Sequence, residues 1–366
     1  IYEQALTLEH VIFAGFTHEP AINLCEALQA IIPAQLTKFF FSDNGSTAIE
    51  IALKMSYQYW RNLAGCNNKN IFLSFAGGYH GDTFGAMSVG ASSGFHDHFK
   101  DFFFKVLAVS YPDTWDDDID VAIKEQAALA KLEKYLEQYK DTIAAIILEP
   151  LVQGASGMRM CRPEFVRKVV ELVRQNNILV IFDEVMTGFG RTGTYFACNQ
   201  LDIIPDFLCI SKGISGGFLP LALTITTNKI YEAFLGDDFN TAFAHAHSYT
   251  ANPLACSAAI TSLKLLQHPS CQLAIQNINS AHHAGIKLLK ANCPHIEKTR
   301  ILGTIAAFAL KLSKEKIFAL KTKLLQEGLL LRPLGNTIYL LPPYCISNQD
   351  LINAYKILRI ELTEFN

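Results

Sequence analysis

The residues able to do chemistry in this 366-residue sequence cluster in four stretches, each where an apolar run ends. Asp43-Asn44-Gly45-Ser46-Thr47 follows Lys38–Phe41 and opens a helical pattern. A helix start offers unpaired N–H groups and the positive end of a dipole, which suit a phosphate. Gly45 would admit close approach and Ser46 and Thr47 could donate hydroxyls, although Asn44 or Ser46 also makes an ordinary helix cap. Gly77-Gly78-Tyr79-His80-Gly81-Asp82-Thr83 follows Ile71–Phe75 and sets Tyr79 among glycines, as a stacking ring or as part of a plain turn. Ile178–Phe182 runs into Asp183 and Glu184. A carboxylate at the end of a buried strand is costly unless it is paired, so Asp183 is a candidate to meet a cation. Phe207–Ile210 ends in Ser211-Lys212-Gly213, which places a lone amine 29 residues after Asp183. Such a lysine either snorkels to the surface or serves as a Schiff-base amine in a partly desolvated setting.

A phosphate cradle, an aromatic face, a carboxylate and an amine are together the contacts that pyridoxal 5'-phosphate needs. The carboxylate beside the pyridine nitrogen favours its protonated form. This reading gives Lys212, Asp183 and Tyr79 catalytic roles. Gly45, Ser46, Tyr79, Asp183 and Lys212 would bind the cofactor.

The elements that must position these groups follow from periodicity. Short apolar runs at Lys38–Phe41, Ile71–Phe75, Ala144–Leu148, Ile178–Phe182, Phe207–Ile210 and Leu221–Thr226 alternate with helical patterns at Ser46–Trp60, Ala122–Tyr139, Pro163–Gln175 and Pro253–Leu266. That alternation predicts an α/β fold with a mainly parallel central sheet. Pro163 and Pro253 suit first helical turns. Near His268-Pro269-Ser270 the character changes. A helix at Ala281–Leu289, strands within Leu302–Ala309, a helix at Lys314–Glu327, strands at Leu329–Arg332 and Thr337–Leu341, and a helix at Asp350–Thr363 predict a smaller α+β unit. The expected domains are therefore 1–267 and 268–366.

Composition narrows the function classes. Half the residues are hydrophobic, 18% are charged and the net charge is −3, which excludes a disordered chain. No basic cluster favours nucleic acid, and no apolar run is long enough for a membrane helix. Nine scattered cysteines without CxxC or Cys/His spacing indicate neither a disulfide framework nor a metal site, and fit a reducing cytoplasm. The acidic run Trp115–Asp120 reads as a solvated loop. The sequence opens Ile1-Tyr2-Glu3, without Met or a leader, as if entered partway through a longer product.

The order Asp43-Asn44-Gly45-Ser46, Tyr79-His80-Gly81, Glu149-Pro150, Asp183-Glu184-Val185-Met186-Thr187-Gly188-Phe189-Gly190-Arg191 and Ser211-Lys212-Gly213 resembles the class III aminotransferases of fold-type I. Glu149–Met160, Arg332–Tyr344, Phe16–Ala21 and Gly78–Ser88 resemble the branch of that family that works in biotin synthesis. The resemblance runs nearly end to end. It implies transfer of an amino group to 8-amino-7-oxononanoate, giving 7,8-diaminononanoate, in ping-pong fashion through pyridoxamine phosphate. S-adenosylmethionine is the implied donor, with lysine used by some members. It implies Lys212 as the Schiff-base residue, Asp183 on the pyridine nitrogen, Gly45 and Ser46 on the phosphate, and Tyr79 on the ring. Arg332 would grip the substrate carboxylate, while Arg191 and Glu149 would support the site. A homodimer with shared active sites is implied as well, with Ser248, or less favourably Thr250, reaching the neighbouring subunit's phosphate. Relatives carry several dozen residues ahead of the point matching Ile1, including aromatic residues of the substrate pocket. Two other readings stay open: another class III ω-aminotransferase, acting on ornithine, 4-aminobutyrate or a similar amine, and a truncated form that holds the cofactor without turnover.

Overall fold

A computed structural model describes residues 1–63 and 66–364, so the last two residues of the expected second unit lie outside it. In chain order the strands are β1 (Leu36–Ser42), β2 (Ile71–Phe75), β3 (Val106–Val109), β4 (Ile143–Leu148), β5 (Val152–Gln153), β6 (Arg159–Met160), β7 (Leu179–Asp183), β8 (Phe207–Ile210) and β9 (Ala222–Thr227). Then follow β10 (Ile296–Leu302), β11 (Ile305–Leu310) and β12 (Thr337–Leu340). Seven of them form one sheet in the order β1-β9-β8-β7-β4-β2-β3. Only β9 runs antiparallel to its neighbours in it. The carboxyl ends of β1, β2, β4, β7 and β8 therefore share one edge of the sheet.

Period-two alternation divides the strand side chains between the faces. Leu73, Ile146, Leu148, Val180, Phe182 and Leu208 join one apolar core, packed with the helix Pro163–Gln175. That helix begins on Pro163 and buries Phe165, Val166, Val169, Val170 and Val173, a helical stripe. Phe72, Ala145, Ile147, Leu179, Ile181, Phe207 and Cys209 face a second core against the helix Gly45–Asn62. Burying each large side chain contributes roughly 1.5–3 kcal/mol, so strands and helices hold one another in register. All nine cysteines are free.

After Pro269 the chain builds a three-stranded sheet, β10-β11-β12, with its own core around Phe308, Leu320, Tyr355 and Leu358. Ile275, Ile305 and Ala307 also reach into the first core. Here the structure departs from several expectations. One 24-residue helix, Pro269–Asn292, replaces the short helix at Ala281–Leu289. It buries Ile275, Ile278, His282, Gly285, Ile286 and Leu289, a stripe that the polar residues Asn277, Asn279, Ser280 and His282 break up in the sequence. The expected strand at Leu329–Arg332 is absent: the segment turns at Gly328 (φ 83°) and runs into Pro333, which has no N–H to pair. The edge strand β3 and the β5–β6 hairpin were not expected.

The acidic run Trp115–Asp120 is a loop held by its neighbours. Lys124 donates to Asp118 (2.5 Å), Thr299 to Asp116 (2.7 Å) and Lys290 to Asp117 (3.2 Å). Among the described residues no cluster of His, Cys, Asp or Glu is arranged to hold a metal, and no helix is long and apolar enough to cross a membrane.

Candidate active site

The shared sheet edge opens into a cavity of about 1340 Å³. Gly45, Ser46, Tyr79, Asp183, Lys212 and Arg332 all line it, so six of the seven expected site residues come together from sequence positions up to 287 residues apart. Ser248 does not line it; this side chain lies exposed in the loop before the helix Pro253–Gln267. Thr250 is turned inward on its own loop, donating to the His247 carbonyl and accepting from the His247 N–H. That loop is pinned from the side by buried His18, whose Nε2 donates to the Ala251 carbonyl (2.8 Å).

The phosphate cradle is built at the start of Gly45–Asn62. Asn44 is the N-cap: its side chain accepts from the Thr47 N–H (3.0 Å), and Thr47 Oγ1 accepts from the Asn44 N–H (3.3 Å). The Ala48 N–H donates to the Asn44 carbonyl. Among the described residues the Gly45 and Ser46 N–H groups have no such partner, and both residues line the cavity. Ser46 Oγ accepts from the Asp82 N–H (3.1 Å), tying the helix start to the loop after β2. Gly81 makes that approach possible. Its φ is +124°, and a Cβ there would sit 2.1 Å from Ser46 Oγ and 2.8 Å from Ser46 Cα.

Asp183 ends β7 nearly buried, at 4% exposure, beside the cavity. His80 Nδ1 donates to its Oδ2 (2.7 Å), and the Val185 N–H donates to its Oδ1 (3.1 Å). These bonds fix the plane of the carboxylate. The neighbouring Glu184 turns away, accepting from the Ala197 and Cys198 N–H groups and from Thr187, so the two carboxylates of the motif separate into a site residue and a helix anchor. Burial pushes the Glu184 carboxyl up to about 7, against the pull of those donors.

Lys212 follows β8 and opens the short turn Lys212–Ser215 at a φ of +44°. A non-glycine residue held there costs about 1–2 kcal/mol, a strain of the kind that collects at functional sites. Its two chain neighbours are held in place: Ser211 donates to the Leu221 carbonyl (2.9 Å), and Ser262 to the Gly213 carbonyl (3.3 Å). Tyr79 presents a half-buried ring that stacks on His96 (5.8 Å, 28°), and its hydroxyl donates to Asp82 (2.9 Å). Burial first, then the Asp82 bond, push the Tyr79 phenol up to about 12, so it stays protonated at neutral pH.

Two residues expected as supports take that part. Arg191 donates to the Pro342 carbonyl (2.7 Å) and lies over the Tyr344 ring (4.7 Å), bracing the C-terminal wall of the cavity. Glu149 accepts from the Tyr79 N–H (3.1 Å) and the Gly154 N–H (2.8 Å). Burial raises its carboxyl to about 7; His80 opposes that rise and the Asp183 charge adds to it. The sequence reasoning missed His80 as a partner of Asp183. The signal was a histidine beside Tyr79, in a turn that must face the end of β7.

The geometry fits pyridoxal phosphate on its own evidence: paired N–H donors at a glycine-admitted helix start, a buried carboxylate oriented by His80, and an amine at the same edge. The model of the family described as aminotransferase class-III matches residues 1–361. Adenosylmethionine-8-amino-7-oxononanoate aminotransferase of Synechococcus elongatus is 48% identical over 100% of this chain and 85% of its own length. The Helicobacter pylori protein of that name is 40% identical over 95% of this chain and 79% of its own. The structure is similar to that of adenosylmethionine-8-amino-7-oxononanoate aminotransferase from Methanocaldococcus jannaschii, at a TM-score of 0.89, 34% identity, and coverage of 99% of this chain and 83% of that one. It is similar also to an amine transaminase from an uncultivated Pseudomonas species in its PLP-bound form, at a TM-score of 0.92, 27% identity, and coverage of 100% and 86%. With this sheet, this edge and these matches over nearly its whole length, the chain belongs to the class III aminotransferases.

Proposed function

We propose that the protein is a pyridoxal-phosphate-dependent aminotransferase that converts 8-amino-7-oxononanoate to 7,8-diaminononanoate in biotin synthesis, with S-adenosylmethionine as donor. The observation that carries this reading is the 48% identity, over the full chain, to a relative named for that reaction. A cavity that joins Lys212 and Asp183 to Arg332 supports it.

The cofactor, when bound, supplies a protonated ring that withdraws electrons from the substrate carbon bearing the amine. In this reading Gly45 and Ser46 hold its phosphate through the free N–H groups of the helix start. Tyr79 covers its ring, and Asp183, held in plane by His80, keeps the proton on its nitrogen. Lys212 would be the residue that carries its aldehyde; once free, its amine would take a proton from the substrate carbon and return it. Arg332, exposed on the cavity wall, would bind the carboxylate of the oxononanoate by two parallel hydrogen bonds.

Two further assignments belong to the same reading. A homodimer would bring Ser248, exposed outside its own chain's cavity, to the partner's phosphate. The division into a large unit, 1–267, and a smaller one, 268–366, would place Arg332 on the smaller unit facing Lys212 on the larger. The cytoplasm is the matching compartment.

The test is a set of single-turnover half-reactions, with adenosylmethionine, lysine and ornithine each added to the purified enzyme and the cofactor absorbance followed. Adenosylmethionine should convert the absorbance, and 8-amino-7-oxononanoate should restore it. Conversion by ornithine alone would replace this reading with another class III activity. In Arg332→Ala the KM for 8-amino-7-oxononanoate should rise far more than the donor half-reaction slows.

A further inference from the structure

Arg300 is buried, at 6% exposure, and among the described residues it forms no ion pair with a carboxylate. Its guanidinium is spent on carbonyls instead. Nε donates to the Met158 carbonyl (2.7 Å), Nη2 to the Gly157 carbonyl (2.5 Å) and Nη1 to the Lys298 carbonyl (3.1 Å). Burying an unpaired cation is expensive unless its donors are satisfied, so the fold commits a costly group to this one contact. The approach is built in from both sides. On β10 the pairing with β11 shifts between Glu297 and Arg300, and Lys298 takes a φ of +51°, a bulge that sets the register of Arg300. On the other side Gly157 and Met158 sit at φ of +98° and +51°, and both carbonyls accept from Arg300.

The loop that Arg300 holds is part of the cavity wall. Gly154, Ala155 and Met158 line it, and the Gly154 N–H is bonded to Glu149. Arg332, Leu334, Tyr339 and Leu341, which line the same cavity, come from the C-terminal sheet that carries Arg300 or from the segments beside it. Gly157 packs against that sheet directly, since a Cβ there would lie 3.3 Å from Thr337 Oγ1. Arg300 is thus the bidentate link between the two walls of the cavity, and it touches neither the cofactor groups nor the reacting atoms.

We infer that Arg300 is a positioning residue: through the Gly157 and Met158 carbonyls it fixes the distance between the Gly154–Met158 wall and the wall bearing Arg332, and so sets the fit of the carboxylate-bearing acceptor. A lysine at this position offers one point charge and cannot span both carbonyls as the planar fork does. The kinetic arm rests on the aminotransferase reading above; a second arm does not.

The experiment compares wild type, Arg300→Lys and Arg300→Gln as holoenzymes, each first shown to keep its cofactor absorbance. The KM for 8-amino-7-oxononanoate should rise at least about tenfold in the glutamine variant and less in the lysine variant, with kcat within about threefold of wild type. Hydrogen–deuterium exchange should accelerate at least about tenfold in residues 154–160 and stay unchanged in β4 and β7. A folded variant with wild-type KM and wild-type exchange in 154–160 overturns the inference, as does a uniform rise in exchange across β4 and β7, which would mark general destabilisation. Should the glutamine variant fail to fold, the lysine variant alone carries both readouts. Wild type inert toward 8-amino-7-oxononanoate would remove the functional reading, and the exchange arm would then decide the role of Arg300 by itself.

Discussion

Replacing Gly81 by alanine tests the construction of the phosphate cradle. The added Cβ would lie 2.8 Å from Ser46 Cα, whereas ordinary contact begins near 3.4 Å, so the backbone of the helix start must retreat by about 0.6 Å even after the Ser46 hydroxyl has rotated away. Two costs add. Holding a Cβ at this φ costs about 1–3 kcal/mol, and overpacking adds about 1–3 kcal/mol, for a loss of roughly 2–6 kcal/mol. Gly94→Ala supplies the reference: its φ is +81° and nothing lies within 4 Å of its Cβ, so it should pay the backbone cost alone. The retreat also displaces the Gly45 and Ser46 N–H groups, and losing one charge-assisted hydrogen bond to a phosphate costs about 1.5–3 kcal/mol, or tenfold or more in affinity. The assays are chemical unfolding of all variants and cofactor titration by fluorescence quenching. Gly81→Ala should be the less stable of the two single variants and bind the cofactor at least about tenfold more weakly. Ser46→Gly in the Gly81→Ala background should recover part of the stability. Equal stability of the Gly81 and Gly94 variants, with unchanged cofactor affinity, would refute the cradle as drawn.

Three further outcomes are expected. Lys212→Ala should show no cofactor mass retained after borohydride reduction and lose transamination by about 10²–10⁴-fold, the usual worth of a positioned proton-transfer group. Glu149 has a folded value near 7 against an ordinary 4.5, so the stability contributed by its protonated form is fully present below about pH 4.5 and lost as pH rises through 7. The loss is on the order of 3 kcal/mol, and urea unfolding between pH 5 and pH 8.5 should fall less steeply in Glu149→Gln than in wild type; parallel slopes would discard the assignment. Ser248→Ala should weaken cofactor binding about tenfold, as removal of one hydrogen bond to a charged group does, if the partner subunit supplies that hydroxyl; an unchanged affinity removes it from the site.

Much of this site was legible because its residues stand where strands end. Asp183 and Lys212 could be picked out by the contrast between a buried apolar run and the polar residue that stops it, and the parallel sheet then places such ends together. The strands β2 and β8 and the helix Pro163–Gln175 coincide with expectation for the same reason: their burial is uniform or cleanly periodic. What lay beyond reach was long-range and side-chain specific. Nothing local links His80 to Asp183, 103 positions away, or Arg300 to Gly157. The Pro269–Asn292 helix was under-read because it buries His282, which donates to the Thr304 carbonyl and bonds to the Tyr355 hydroxyl, so a polar letter sits within an apolar stripe. The strand misplaced at Leu329–Arg332 has the right hydrophobicity but no neighbour to pair with.

The single antiparallel strand of the large sheet also bears on how the molecule is made. Among the described residues β1 pairs only with β9, and the segment that becomes β9 emerges about 180 residues later. At a synthesis rate of 5–20 residues per second this is a wait of roughly 10–40 s. Throughout that interval Phe39-Phe40-Phe41 lacks the β9 backbone it pairs with in the finished sheet, while β2, β4, β7 and β8 are already able to pair. The helices Glu19–Gln29 and Gly45–Asn62, on either side of it in sequence, are the apolar partners available nearby. Closure of the sheet, and with it alignment of the β1 edge that feeds the phosphate cradle, is therefore a late event in the life of the nascent chain.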